Sequence, residues 1–261
     1  MKEMTLDYDW INDFEALFTS IGKVLTEGQL KLDKSQDQGY LSAGFNLSPA
    51  RESVPFGGID MCPGKGACEI PCLKGSGMNQ MTTHELARIR KTLLFARYFP
   101  AFRKKALKEV AALIRKAARR ELIPAVRPNL LSDQPKLAKM LQEEFPDLQL
   151  YDYTKLRRPW ERTNDKYHLT FSLDVGEASE LHALKCIEHE VNVAVVIDHP
   201  KDDPVPDTFT LRDVTLPTID GDKHDLRFLD PWPRFVMLRG KKIKGKKHVD
   251  ARESGFYRRA A

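Results

Sequence analysis

Three successive pieces of one stretch decide the fold: Ile123-Pro124-Ala125-Val126-Arg127-Pro128-Asn129, then Gln134-Pro135-Lys136-Leu137-Ala138-Lys139-Met140-Leu141-Gln142-Glu143-Glu144-Phe145, then Leu148-Gln149-Leu150-Tyr151-Asp152-Tyr153. A short apolar run, a helical stretch and a second short run read as strand, helix, strand. The alternation continues downstream. Tyr167 to Leu173 and Asn192 to Ile197 are the next strands, with a helix over Glu177 to Glu190 between them. Alternating strands and helices of this length argue for parallel βαβ units. Upstream, Tyr40 to Ser48 is a further strand, and shorter strand-like pieces around Leu216 and Phe235 to Leu238 follow, broken by Asp-Gly and Asp-Pro turns. The expected class is α/β, a partial (β/α) barrel of about six parallel strands rather than a doubly wound sheet.

The polar residues support that choice. Asn129 with Ser132 and Asp133, Tyr151 to Lys155, Ser172 with Asp174, and Asp198 with His199 each follow an apolar strand at its C-terminal end. That edge is the rim on which β/α barrels carry their sites.

Outside this stretch, Trp10, Ile11, Phe14, Leu17, Phe18 and Ile21 recur at helical spacing, so residues 1–38 read as an amphipathic helical cover. Residues 39–240 are expected to form one domain and 241–261 a basic tail. Thr82 or Thr83 is a candidate N-cap for a helix beginning near His84, and Pro100 divides it from a second helix over 101–121.

The chain has 261 residues, 42 Lys plus Arg against 37 Asp plus Glu, and 41% hydrophobic residues, enough apolar content for a sizeable core. No run approaches the roughly 20 apolar residues that cross a bilayer, and the N-terminus is no secretory signal, so a cytoplasmic protein is expected. The net charge of +5 is uneven. From Arg239 to the end, nine basic residues oppose two acids, and the 101–121 helix carries Arg103, Lys104, Lys105, Lys108, Arg115, Lys116, Arg119 and Arg120. Helix 101–121 and tail 239–261 are candidate contacts for nucleic-acid phosphates, or else solvated faces.

The most specific feature is Met61-Cys62-Pro63-Gly64-Lys65-Gly66-Ala67-Cys68-Glu69-Ile70-Pro71-Cys72, a C-x5-C-x3-C spacing in a Gly- and Pro-rich loop just after a strand. Glycines let such a loop wrap three thiolates around one centre. Two metal readings follow. A four-iron, four-sulfide cluster on Cys62, Cys68 and Cys72 leaves one iron open to a ligand; zinc on the same thiols is the alternative. Cys186, in the apolar run Ala183 to Ile187, reads as a small buried hydrophobe. Around this centre Tyr151, Lys155, Asp133, Asp222 and His224 are candidate catalytic groups, and Asn129 and Ser172 candidate cofactor contacts. Asp220-Gly221-Asp222-Lys223-His224-Asp225 supplies carboxylates and an imidazole for metal or acid–base work, or is a solvent-facing turn. His168 reads as a core histidine.

In order along the chain, the Cys loop, Arg127-Pro128-Asn129-Leu130-Leu131-Ser132-Asp133, Tyr151-Asp152-Tyr153-Thr154-Lys155, Tyr167-His168-Leu169-Thr170-Phe171-Ser172, Asn192-Val193-Ala194-Val195-Val196 and Asp220 to Phe228 resemble the bacteriophage gene product eighty-eight family over about residues 40 to 240. More distantly, a Cys loop followed by β/α units resembles radical S-adenosylmethionine enzymes, whose usual spacing is C-x3-C-x2-C. The first resemblance implies a phage or prophage protein; the second, more distant one adds S-adenosylmethionine as a candidate cofactor. Two functions stand: an iron–sulfur enzyme acting on a nucleotide or nucleic acid, and a non-enzymatic nucleic-acid-binding protein with structural zinc.

Overall fold

In the computed structural model, residues 9–28, 30–241, 253 and 255–259 are described. Asp13 sets the first boundary. Its carboxylate accepts the Ala16 amide at 2.8 Å and starts α1 (Phe14–Thr19), so the apolar run from Trp10 to Ile21 is split between a 3-10 turn at Asp9–Ile11 and this short helix. The single amphipathic helix read from the spacing does not form. Trp10, Leu17 and Ile21 still bury themselves against the core, but the chain then enters β1 (Leu25–Thr26) and one helical turn, α2 (Leu30–Asp33). The Val24 and Leu25 amides donate to the Glu109 carboxylate at 3.0 and 2.7 Å, which ties this opening to the body.

After β2 (Tyr40–Phe45) comes the long Gly-, Pro- and Cys-bearing segment, which holds four 3-10 turns and no strand. α3 (Thr82–Arg97) begins behind Met81, whose side chain makes no capping bond; Thr82 is already helical, so neither threonine caps the helix as expected. α4 (Phe99–Arg119) carries Pro100 in its first turn, where a missing N–H leaves no bond unmade.

The alternating region then follows its sequence pattern: β3 (Ile123–Arg127), α5 (Pro135–Glu144), β4 (Gln149–Thr154), β5 (Tyr167–Ser172), α6 (Glu177–Glu188) and β6 (Val193–Asp198). β7 (Thr208–Leu211) and β8 (Val214–Asp220) form an antiparallel hairpin, β9 (Phe235–Arg239) returns to the sheet, and β10 (Arg258–Arg259) adds to β6. The fold is mixed α/β, built on a largely parallel sheet of ten described strands in the order β1-β2-β3-β4-β5-β6-β9-β8-β7. From β2 through β6 to β9, six neighbours run parallel in chain order. β8 continues the parallel set, and β1 and β7 close the two edges antiparallel.

The two faces of the sheet differ in chemistry. Leu41, Ala43, Phe45, Val126, Leu150 and Leu169 join Ile89, Leu93, Phe102, Val110, Leu137 and Leu141 of α3, α4 and α5 in one core. Burying a side chain of this size stabilises by about 1.5–3 kcal/mol, which is why the amphipathic helices dock here. On the other face, Ser42, Ala125, Tyr151 and His168 are near neighbours by register, and residues 224–230 cover them: Leu226 is buried and Phe228 packs on Tyr40 and Tyr151. No helix among the described residues is long and apolar enough to cross a membrane.

Candidate functional site

The cysteine-bearing segment is held at both ends by one side chain. Arg88 of α3, 2% exposed, grips the Glu52 carboxylate through Nε (2.9 Å) and Nη2 (2.7 Å), and donates from Nη1 to the Asn79 carbonyl at 2.9 Å. The middle of the segment leans on the sheet rim. The Asp133 amide donates to the Met61 carbonyl at 2.9 Å, and the Asp133 carboxylate accepts the Lys155 amide (2.8 Å) and the Thr154 hydroxyl (2.9 Å). Gly66 lies against Asp174 so closely that a Cβ would sit 2.5 Å from its Oδ2. A glycine is required there because the loop must touch the strand end.

This clamping brings the three loop thiols together. Cys62, Cys68 and Cys72 are free and half-buried, and the Cys62 thiol feels the charge of both others. Burial pushes the Cys62 thiol up to about 12, against the Ala50 amide that donates to its sulfur at 3.1 Å. Cys68 and Cys72 are raised for the same reason. Protonated thiols are poor nucleophiles at neutral pH, whereas a metal deprotonates its ligands as it binds. Among the described residues, no three His, Cys, Asp or Glu side chains converge within reach of a single metal ion. Tetrahedral zinc requires its sulfurs about 3.8 Å apart, while the thiolates of an iron–sulfur cluster attach to separate irons and stand further apart.

Cys62 and Cys68 line a cavity of about 140 Å³ at the C-terminal ends of the strands, with Lys65, Ser132, Asp133, Tyr153, Thr154, Lys155 and Ser172. The Lys155 ammonium donates to the Ser172 and Leu173 carbonyls at 3.0 and 3.1 Å and stands 3.4 Å from Asp174. Burial lowers its pKa, opposed chiefly by the charge of Cys68 and then by that of Asp174. Burial raises that of Asp133 against its hydrogen bonds from Lys155 and Thr154. Of the residues proposed from sequence, the rim therefore gathers Cys62, Cys68, Asp133, Lys155 and Ser172 at one cavity, with Cys72 in the adjoining turn.

Asn129 stands behind this wall. Its Nδ2 donates to Asp152 at 2.7 Å, and its Oδ1 accepts the Ser132 hydroxyl (2.7 Å) and the Gln134 amide (2.8 Å), so it shapes the turn that presents Asp133. Tyr151, fully buried beneath Phe228, does not line the cavity; its neighbour on the same face, Tyr153, does. Arg127 lies over the Tyr153 ring at 4.8 Å and donates to Asp225 at 2.9 Å. Asp222 and His224 fall in a separate cluster. Asp222 accepts the Arg239 amide at 3.0 Å, Asp220 pairs with the Arg239 guanidinium at 2.8 Å, and His224 faces Arg227 and Asp230. Cys186 is buried in the apolar core under α6, and His168 is held neutral by burial, its pKa lowered to about 4. The alternation of β4 places Tyr153 with Tyr151 at the rim, though only Tyr151 is an expected site residue, and nothing local marks the Arg88–Glu52 pair.

The basic helix is partly engaged. Lys116 pairs with Glu27, Arg103 with Glu144 (3.0 Å), and Lys105 lies over Phe18, whereas Lys104, Lys108, Arg115, Arg119 and Arg120 are exposed. Its buried side packs on the helix-covered face of the sheet, away from the cavity. Residues 242–252 of the basic tail lie outside the described residues.

A family model described as gene product 88 matches residues 23–260. No curated protein matches the chain. No solved structure matches it.

Proposed function

Since the chain belongs to the gene product 88 family, we propose that this family member is an iron–sulfur enzyme acting on a nucleotide or nucleic acid, with Cys62, Cys68 and Cys72 holding a four-iron cluster at the mouth of a partial β/α barrel. The observation that carries the reading is three free, half-buried thiols gathered beside a cavity at the C-terminal rim, with Lys155 and Asp133 in its wall. Six parallel neighbours in chain order, β2 to β6 and then β9, support the barrel, with only β8 added beyond β9 against chain order. The donor set offered to the cluster is three free thiols on one segment, one of them already accepting a backbone N–H. When bound, such a cluster supplies one-electron reduction to a ligand on its open iron, S-adenosylmethionine in this reading.

The chain's own residues do the rest. Lys155, fixed by two carbonyls and Asp174, sets a positive charge beside Cys68. Asp133 fastens the cysteine segment to β4, Gly64 and Gly66 let that segment lie against the strand ends, and Tyr153 with Ser172 walls the cavity. Structural zinc in a non-enzymatic nucleic-acid binder gains less support, since it leaves the polar groups that wall the cavity without a task.

Reconstitution with iron and sulfide under strict anaerobiosis tests the proposal. The expected result is a brown protein with broad visible absorption, lost in Cys62→Ala, Cys68→Ala and Cys72→Ala and kept in Cys186→Ala. A colourless, iron-free protein would overturn it.

A further inference from the structure

The described C-terminal residues come back to the rim. β5 and β6 pair only through Phe171 with Val193 and Ser172 with Ala194, while β6 runs on to Asp198. Beyond that point the far edge of β6 is taken by β9, where Ile197 pairs with Arg239 and accepts the Gly240 amide at 2.8 Å. β10 therefore lies on the edge of β6 that faces β5, pairing Arg258 with Ile197 and Arg259 with Asp198. Side chains lock it there. Arg258 pairs with Glu180 at 2.9 Å and donates to the Asp174 carbonyl at 3.3 Å; the Tyr257 hydroxyl donates to the Lys241 carbonyl at 2.8 Å. The Phe256 ring lies 4.8 Å from the Lys155 ammonium, the same group that walls the cavity.

We propose that Phe256–Arg259 is a releasable strap that closes the Lys155 side of the cavity, so that a ligand enters when the strap lifts. The inference goes beyond the cluster reading and rests on the chain's geometry alone. Among the described residues its ladder is two residues long, and none of residues 255–259 is fully buried. The strands it joins, by contrast, carry Val193, Val195 and Ile197 in the apolar core. Segments with few buried apolar contacts and short ladders open locally, far below the free energy of global unfolding. The strap also sits on both carriers of the Lys155 clamp at once, touching Asp174 through Arg258 and Lys155 through Phe256. Lifting it uncovers the ammonium without disturbing β5.

Hydrogen exchange and amine labelling of the full chain test this with two variants. Gly240→Ala adds a Cβ that would stand 2.4 Å from the Tyr257 ring, so it unseats the strap from beneath while leaving the tail sequence whole. Phe256→Ala removes the cover from Lys155. In the unaltered protein, amides of 256–259 should exchange more slowly than those of an unstructured peptide, and Lys155 should resist acetylation by an acetyl ester. Gly240→Ala should abolish that protection, and both variants should raise the Lys155 acetylation rate roughly tenfold with β9 still protected. The proposal is overturned if 256–259 exchange freely in the unaltered protein, or if Lys155 acetylation is the same in all three. Should Gly240→Ala not fold, Phe256→Ala decides, because it deletes only a partly exposed ring. Neither readout needs iron, so failure here is distinct from failure of the cluster proposal.

Discussion

Replacing Asn129 by Asp puts a second charge into the most enclosed part of the rim. Asn129 is 3% exposed and Asp152 1%, and the amide nitrogen of the first donates to the carboxylate of the second at 2.7 Å. In Asn129→Asp that donor becomes an acceptor, and two ionised carboxylates at this distance repel by about 6 kcal/mol at an effective dielectric constant of about 20. Arg127 stands 3.6 Å from Asp152 but is shared with Asp225 at 2.9 Å, so it cannot neutralise both. A proton held between the two carboxylates removes the repulsion and restores a hydrogen bond. Burial already raises Asp152 in the unaltered protein, and the folded pair in the variant holds its shared proton more tightly still. The sign follows from linkage: with the folded pKa raised, the variant's stability is fully present below about pH 4 and is lost as pH rises, by about 1.4 kcal/mol per pH unit. Because Asp152 is raised in both proteins, both lose stability as pH climbs, and the variant should lose more, its gap to the unaltered protein widening from about pH 4 to about pH 8. Urea unfolding of both proteins from about pH 4 to about pH 8 measures that gap. A gap that stays constant across the range refutes the Asn129–Asp152 bond and, with it, the account of how the turn presents Asp133.

Three further outcomes are expected. Glu52→Ala leaves the Arg88 guanidinium buried without its carboxylate, so urea unfolding should show a loss of about 3–5 kcal/mol, and a loss below about 1 kcal/mol would contradict the clamp. Burial raises Asp230 to about 6 despite Arg227 at 3.1 Å, so its contribution to stability is present below pH 3.8 and fades by up to about 3 kcal/mol as pH climbs to 6; Asp230→Asn should be flatter over that window and gain on the unaltered protein as pH rises, as urea unfolding would show. In metal-free protein, Cys62 should be alkylated about a thousandfold more slowly near pH 8 than a cysteine in an unfolded peptide, since its thiol is pushed from 9.0 to about 12; peptide mass spectrometry showing equal rates would remove the case against a nucleophilic thiol.

What the sequence made legible was what local pattern controls. β3 through β6 fall within a residue or two of their expected bounds because each is a short apolar run bracketed by polar or turn residues, and their alternation with helices dictated parallel pairing. The polar rim was readable for the same reason. Distances across the fold were not. Alternation put Tyr151 and Tyr153 on one face, but only the register, with Tyr153 opposite Thr170, and the cover of Phe228 over Tyr151 decide which of the two reaches the cavity. The spacing of Trp10 to Ile21 suits a helix, yet Asp13 offers its carboxylate as a cap and divides it. Asp222 and His224 looked like site residues because carboxylates crowd that turn; Arg239, distant in sequence, claims Asp222. The Arg88–Glu52 clamp and the C-terminal strap join residues too far apart for any local pattern to show them.

Charge balance around the thiols decides what kind of chemistry the rim suits. Asp133 and Asp174 already face the sulfurs, and each thiolate formed would feel the others; of the nearby cations, Lys155 lowers Cys68 and Lys74 lowers Cys72, while burial outweighs both. A protein built to use one of these cysteines as a nucleophile would set a single thiol beside an uncompensated cation to lower its pKa. This rim does the reverse: it gathers three thiols with two carboxylates and spends the charge of its nearest lysine on Asp174 and two carbonyls. Three protons can leave together only if positive charge arrives with the ligand that displaces them, which is the service iron performs for thiolate ligands. On the proposed reading, the protonated and clamped thiols of the free chain are what a site assembled around an inorganic centre would show before it is loaded.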